Sequence, residues 1–150
     1  MTTSRDVHIG HSWPPFEVLI ERGPAVAFAR GLDETDPVYL DESAAKAAGL
    51  RGIAVLPTFP TAISIDRVDL IHDMLQRLQI DPARILHASQ RFVHHRPMCV
   101  GDRLTGTKRI ANITDRKNGA LTFIDTVVEY RDLEGRPVCE DHCSLVARNT

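Results

Sequence analysis

The chain is poor in cysteine, has no surplus of basic charge, no long apolar run and no internal repeat. Its 150 residues include three cysteines, Cys99, Cys139 and Cys143, and no CxxC pair. An odd and sparse set of thiols excludes a disulfide-stapled scaffold and fits reduced side chains in a cytoplasm. Cys139 and Cys143 stand four apart in a stretch that reads as strand, so both face one side, as buried structural thiols rather than metal ligands. Eighteen Lys and Arg oppose 20 Asp and Glu, giving a net charge of −2 and a pI near 6.4. A nucleic-acid binder would show a basic stripe, and the longest basic cluster, His94-His95-Arg96, is too short to form one. The start, MTTSRDVHIGHSWPPF, lacks the apolar core of a signal peptide, and no window approaches the run of roughly 18 apolar residues that a membrane span needs. The seven histidines make no HxxxH or HExxH pattern, so no metal is expected.

What is present is ordinary for a globular protein: 43% hydrophobic and 25% charged residues. The length suits one domain, residues 1–150, with 1–12 expected to be flexible. Such a chain can bury roughly 68–70% of its unfolded surface and so build a core unaided. Trp13-Pro14-Pro15-Phe16 reads as an apolar arm that packs on the sheet or on a partner. Phe16–Glu21 reads as a short strand. Pro24 suits the first turn of a helix over Ala25–Leu32, and Asp33–Pro37 is a loop. Asp41 caps a helix over Glu42–Ala48, which Gly49 ends. Thr58–Ile65 is small and apolar, and is expected to be deeply buried. Asp66–Leu78 carries Val68, Ile71, Leu75 and Leu78, the stripe of an amphipathic helix.

Beyond Asp81-Pro82 the pattern changes to strands: Ile85–His95, Arg103–Ile113, Ala120–Arg131 and Pro137–Arg148. Pro97 to Asp102, Lys117-Asn118-Gly119 and Leu133-Glu134-Gly135 separate them, Asn-Gly being a strong hairpin signal. Three successive hairpins would make a four-stranded meander. Thr122, Ile124, Thr126, Val128 and Tyr130 alternate most clearly. A sheet with one face to bury calls for a helix against it, so the fold class is α+β.

Two blocks resemble the MaoC-like dehydratases of the hotdog fold. Phe28-Ala29-Arg30-Gly31-Leu32-Asp33-Glu34-Thr35-Asp36-Pro37-Val38-Tyr39, continuing through Ala47-Ala48-Gly49 to Ala54, is similar to the hydratase motif: a helix, G-D-x-N-P-[IL]-H, then a short helix ending in Gly. Ile85-Leu86-His87-Ala88-Ser89-Gln90-Arg91-Phe92, with His95-Arg96-Pro97 and Gly101-Asp102-Arg103-Leu104-Thr105, looks like the strand pair of the family's N-terminal-type domain. Similar domains form the non-canonical subunit of heterodimeric (3R)-hydroxyacyl dehydratases. The resemblance spans residues 13–148. It implies a hotdog, an antiparallel sheet curled around a central helix, and a homodimer or a heterodimer with a second MaoC-like hotdog subunit.

The resemblance also implies a chemistry. An Asp and a His hold a water that adds to the β-carbon of an enoyl thioester while the α-carbon takes a proton, or the reverse. A backbone N–H at the start of the central helix steadies the thioester oxygen. Acid–base groups of this kind contribute about 10²–10⁴-fold, and one oxyanion donor about 2.7–4 kcal/mol. Here Glu34 holds the Asp position, Tyr39 the His position and Asp36 the Asn position. A phenol with an ordinary pKa near 10 is a poor base at neutrality. As plain structure, Asp33–Tyr39 reads as a capped turn in which Asp36 bonds nearby backbone.

The His-Gly that precedes the family's helix is Val55-Leu56, followed by Pro57, which has no N–H. The N–H groups of Leu56, Thr58 or Phe59 would serve instead, and Thr58 and Thr61 would line the pocket. His94 and His95 adjoin, so they point to opposite faces and cannot both enter one site.

The reading is an (R)-specific enoyl-CoA/acyl-ACP hydratase or 3-hydroxyacyl thioester dehydratase component that depends on a partner for the Asp/His dyad. It needs no cofactor beyond the acyl-CoA or acyl-ACP substrate and touches neither nucleic acid nor membrane. Two alternatives stand beside it: a non-catalytic acyl-thioester-binding module, and a hotdog thioesterase in which Glu34 activates water.

Overall fold

The computed structural model describes residues 5–149. Five antiparallel strands form one sheet in the order β1-β3-β4-β5-β2. They are β1 (Phe16–Leu19), β2 (Ile85–His94), β3 (Arg103–Arg116), β4 (Leu121–Asp132) and β5 (Pro137–Arg148). The helices are α1 (Arg22–Gly31), α2 (Glu42–Ala47), α3 (Pro60–Asp66) and α4 (Val68–Arg77). This is the expected hotdog, a curled sheet with helices in its concave face.

The β3-β4-β5 meander forms as its turns foretell. Lys117, Asn118 and Gly119 all adopt positive φ, which Asn and Gly tolerate best. The run Thr122, Ile124, Thr126, Val128 and Tyr130 is buried throughout. The first hairpin is a misreading. β2 pairs with β5, from Ile85 opposite Ala147 to His94 opposite Cys139, and not with β3. Residues 97–102 turn locally, Asp102 N–H donating to Cys99 O at 3.0 Å, but do not fold β2 back on β3, because the rest of their backbone is engaged elsewhere. Val55 N–H donates to Met98 O, Val100 N–H to Ile53 O, and Gly101 N–H to Ile20 O. The segment thereby crosses from β2 at one edge to β3 beside β1.

The central helix also differs from expectation. Thr58–Ile65 is not deeply buried: Phe59 and Pro60 are, but Ile65 is 64% exposed. Arg67 breaks the run with ψ near 51°, so α3 and α4 are separate helices. That break leaves the first residue of the apolar stripe outside. Val68 is 53% exposed, while Leu70, Met74, Leu75 and Leu78 fill the sheet. Asp41 caps α2, its carboxylate accepting from Ala44 N–H at 2.8 Å, and Gly49 ends it at φ 82°.

Residues 1–4 lie outside the described residues. Residues 5–12, expected to be loose, are bonded to the body: Arg5 Nε donates to Leu78 O, Gly10 N–H to Ile110 O, and Ser12 bridges Arg109. Trp13 is buried, and its indole N–H donates to Asp73 at 2.6 Å on α4. Phe16 lies across Gly106 on β3, edge-on to Tyr130 at 6.5 Å and under the Arg67 guanidinium at 4.4 Å. A Cβ at Gly106 would sit 2.6 Å from Phe16 Cε2. Gly106→Ala should therefore cost about 1–3 kcal/mol by overpacking, read as a lower melting temperature. Phe16→Leu in the same chain should restore part of it, and no loss in the single variant would refute the contact.

Candidate functional site

The loop that resembles the hydratase motif is held by its own side chains. Asp33 takes a left-handed φ of 54°. Glu34 Oε1 then accepts from Thr35 N–H at 2.8 Å and Asp36 N–H at 2.9 Å. Asp36 Oδ1 accepts from Val38 N–H at 3.0 Å and so caps the turn at Pro37–Tyr39. Asx-type bonding of this kind is what Asp offers a turn. The capped-turn reading of Asp33–Tyr39 is the one the geometry supports. Glu34 and Asp36 serve the backbone, and Tyr39 alone of the three faces a cleft.

That cleft, of about 420 Å³, lies between the loop, the segment before α3 and the end of β2. Tyr39, Val55, Pro57, His94 and Met98 are among its walls. His94 Nε2 donates to the Pro57 carbonyl at 2.9 Å. His95 lines the cleft too, and its Nε2 lies 3.0 Å from Glu140 Oε1, while His142 meets the other oxygen of Glu140 at 2.9 Å. The two histidines therefore border one cleft, against expectation, because β2 ends at His94 and strand alternation does not extend to His95. His94 is the histidine beside Tyr39, and its place follows from where β2 ends rather than from any motif.

The other expected residues do not gather here. Leu56 is buried, Thr58 is exposed, and Phe59 stacks edge-on against Phe28 at 5.4 Å beside a cleft of about 490 Å³ between β1, α1 and α3. Thr61 lines a third cavity. Of the seven expected site residues, Glu34 and Asp36 thus belong to a self-bonded turn, Tyr39, Phe59 and Thr61 each border a different hollow, and Leu56 and Thr58 line none of the three. Among the described residues no group of three His, Cys, Asp or Glu side chains could hold a metal ion.

The third cavity, about 290 Å³, lies between α3, α4 and the inner face of the sheet. Its polar wall was missed from sequence. Asp141 on β5 is 1% exposed. Its Oδ2 accepts from Ser64 Oγ at 2.7 Å, and its Oδ1 accepts from Gln90 Nε2. His87 Nε2 donates in turn to Gln90 Oε1 at 2.8 Å. Ser64 has its one hydrogen on Asp141, so Tyr130 OH donates to Ser64 Oγ, 3.1 Å away. Lys108 on β3 is 7% exposed, and its ammonium makes no hydrogen bond among the described residues; the Trp13 ring lies 5.9 Å from its Nζ.

Burial moves Lys108, Asp141 and the neighbouring cysteines toward their neutral forms. It lowers the Lys108 ammonium, against the attraction of the Cys143 and Asp141 charges. It raises the Asp141 carboxyl, against the hydrogen bonds of Ser64 and Gln90. It pushes the Cys143 thiol up to about 11 and Cys139 up to about 12, so both are protonated and inert at neutral pH. The signal in the sequence was register. Asp141 stands between Cys139 and Cys143, already read as sharing one face, and Lys108 stands two before Ile110.

The model for the FAS1-like dehydratase domain region matches residues 7–141. The chain belongs to that family. A UPF0336 protein of Saccharopolyspora erythraea is 35% identical over 143 residues, covering 95% of this chain and 90% of its own. The family's fold is the one observed. The HadBC (3R-hydroxyacyl-ACP dehydratase) complex of Mycobacterium tuberculosis aligns with a TM-score of 0.79 at 23% identity, over 93% of this chain and 97% of that one. The MaoC-like dehydratase of Rhodospirillum rubrum aligns with a TM-score of 0.70 at 20% identity, over 100% and 99%. Among the described residues of this dehydratase-family chain, no helix is long and apolar enough to cross a membrane.

The His95-Glu140-His142 group beside the cleft gives a test by pH. Hydrogen bonds from His95 and His142 hold the Glu140 carboxyl below its ordinary value. A depressed carboxylate stabilises the fold above its unfolded pKa of about 4.3, and that contribution is lost as pH falls through the folded value. Glu140→Gln should melt below the wild type at pH 6, by no more than about 1 kcal/mol for so exposed a group. The gap should close in acid, and a gap that widens there would contradict the assignment.

Proposed function

We propose that this chain is the acyl-thioester-binding component of an (R)-specific enoyl thioester hydratase or 3-hydroxyacyl thioester dehydratase, and that a second hotdog subunit supplies the Asp/His dyad. The observation that carries the reading is the state of the family's motif in this chain. The carboxylate at Glu34 is already bonded to two N–H groups of its own turn, and the residue at the histidine position is Tyr39. Both bonds fall on Oε1, so a water held there would meet at most the free Oε2 of Glu34 and no imidazole, half of the dyad that the chemistry needs. Dehydratase ancestry in a chain without a working dyad suits one half of a pair.

Two features support a partner. β2 is a ten-residue edge strand, paired with β5 on one side only and largely exposed. A long bare edge invites pairing with another strand. Ile65 of α3 and Leu86 of β2 add exposed apolar surface nearby. The dehydratase from Mycobacterium tuberculosis to which this chain is similar is itself described as a complex.

On the substrate side, Phe59 N–H is used by Leu56 O at 2.9 Å. Thr58 N–H, on an exposed residue at the approach to α3, donates to nothing among the described residues. Leu56 N–H, between the cleft residues Val55 and Pro57, likewise has no acceptor among the described residues, and these two are the groups left to meet a thioester oxygen. Tyr39 and His94 would then border the thioester, orienting rather than deprotonating.

Absorbance at the enoyl-thioester band tests this. The purified chain given crotonyl-CoA or a longer trans-2-enoyl-CoA should leave the band unchanged. The same chain co-purified with a hotdog subunit carrying an intact Asp/His pair should consume it. Glu34→Gln in the pair should change the rate less than about tenfold, since the amide oxygen can still accept the turn's N–H groups. A chain active alone whose activity vanishes in Glu34→Ala would overturn the proposal, and release of free CoA thiol would make Glu34 the water-activating residue of a thioesterase.

A further inference from the structure

The cavity beneath α3 holds charged groups that the proposed hydration chemistry leaves unused. A lysine and a carboxylate are buried on the inner face of a sheet whose other inward residues are mainly apolar. Asp141 has hydrogen bonds to both of its oxygens. Lys108 has none, although its ammonium carries three donors. The Trp13 ring at 5.9 Å offers only a weak cation–π contact. The Lys108 Nζ is not sealed off but opens on the cavity, where no protein group among the described residues accepts from it. Lys108 lines the cavity, so the acceptor would have to come from within it.

We propose that this cavity is a subsite for a neutral oxygen, a hydroxyl or a carbonyl, borne on the apolar tail of the bound ligand, with the Lys108 ammonium as the donor that recognises it. The rest of the wall agrees. Ile65, Ile71, Val128 and Leu145 provide the apolar surface for a hydrocarbon tail. The volume of about 290 Å³ is at the small end of ligand pockets, enough for one short chain. Charge selects a neutral oxygen over an anion. Asp141 already balances Lys108 without touching it, so an anionic tail would leave one buried negative charge uncompensated. A cationic tail would face the ammonium directly. Thr126 is no competitor for the oxygen, because its hydroxyl donates to Cys143 O.

The subsite specifies the ligand class of the preceding section: acyl thioesters whose tails carry a hydroxyl or oxo group. To that extent it rests on the acyl-thioester reading, and the test separates the two.

Binding is measured by calorimetry on the full chain for a graded series of acyl-CoA lengths. Each length is compared as the plain acyl, the ω-hydroxyacyl and the ω-aminoacyl thioester. At the length that reaches Lys108 the hydroxyl form should bind about tenfold tighter than the plain form, as one hydrogen bond to a charged donor allows. The amino form should bind more weakly than both. Lys108→Met should abolish the hydroxyl preference and leave plain acyl binding intact. If that variant does not fold, the ranking of the three tails on the wild type decides the matter. Equal binding of plain and hydroxyl forms at every length, or a preference that survives Lys108→Met, overturns the subsite. Free 1-alkanols of the same lengths form a second arm. Alkanols that bind through Lys108 while no thioester binds would keep the subsite and refute the thioester reading, and no binding in either arm would refute both.

Discussion

The enclosure of α4 by the curled β3-β4-β5 sheet is the constraint from which the remaining arrangement follows. Leu70, Met74, Leu75 and Leu78 of α4 meet Ile110, Ile113 and Ile124 on the strands, and all are almost fully buried. Packing at this density leaves no latitude for slippage. With α4 filling one end of the concave face, α3 must cover the other, and the break at Arg67 sets the angle between them. The two ends differ in character for that reason. The α4 end is dry and aliphatic. The α3 end holds Ser64, Tyr130, Asp141, Gln90 and Lys108 around a hollow.

The N-terminal arm depends on the same enclosure. Trp13 and Phe16 close the open side of the curl, one bonded through its indole to Asp73 of α4 and the other laid across Gly106. Only glycine leaves room for that ring, so a single missing Cβ on β3 fixes how β1 docks. Asp73 is shared with Arg77 at 2.5 Å, and these two contacts, that with Arg77 first, hold its carboxyl below the usual range. The arm, the helix and the strand are thus tied at one point. Arg5 extends the tie to the far end, reaching Leu78 O and Thr122.

How much of this was legible in the sequence depends on the range over which each feature is decided. The β3-β4-β5 meander was legible because Lys117-Asn118-Gly119 and Leu133-Glu134-Gly135 impose their turns locally. The pairing of β2 was not. Pro97 to Asp102 has the composition of a turn, but its N–H groups go to Ile53 and Ile20, residues distant in sequence. The stripe over Val68, Ile71, Leu75 and Leu78 identified the helix and, Val68 apart, its inner face, since Leu75 and Leu78 are core and Ile71 packs against it, while Val68, the first residue after the break at Arg67, stays exposed. At the loop, Asp36 as a turn cap was readable, whereas Glu34 bonding its own two following N–H groups was not. A glutamate in that place is equally compatible with a free carboxylate.

The polar cavity was hidden for a different reason. Lys108 and Asp141 look like solvated strand residues when read singly, and only the curl of the sheet puts both inside. Their burial is hard to explain as a device for stability. A buried charge pair seldom stabilises more than apolar residues of the same volume, because desolvation offsets the attraction. Here the two groups do not even touch, so the attraction is further reduced while both desolvation costs remain. Asp141 recovers part of its cost through Ser64 and Gln90, whereas the Lys108 ammonium opens on the cavity with no protein acceptor among the described residues. An apolar side chain at position 108, in line with Leu104 and Ile110 on the same strand, would complete the core. An ammonium turned to the hollow therefore argues for something that enters the cavity and accepts from it. The exposed β2 edge poses the same kind of question on a larger scale. Each is an interaction surface left half-formed by this chain, one for an atom and one for a strand, and α3 lies between them with Ser64 turned to the first and Ile65 exposed beside the second.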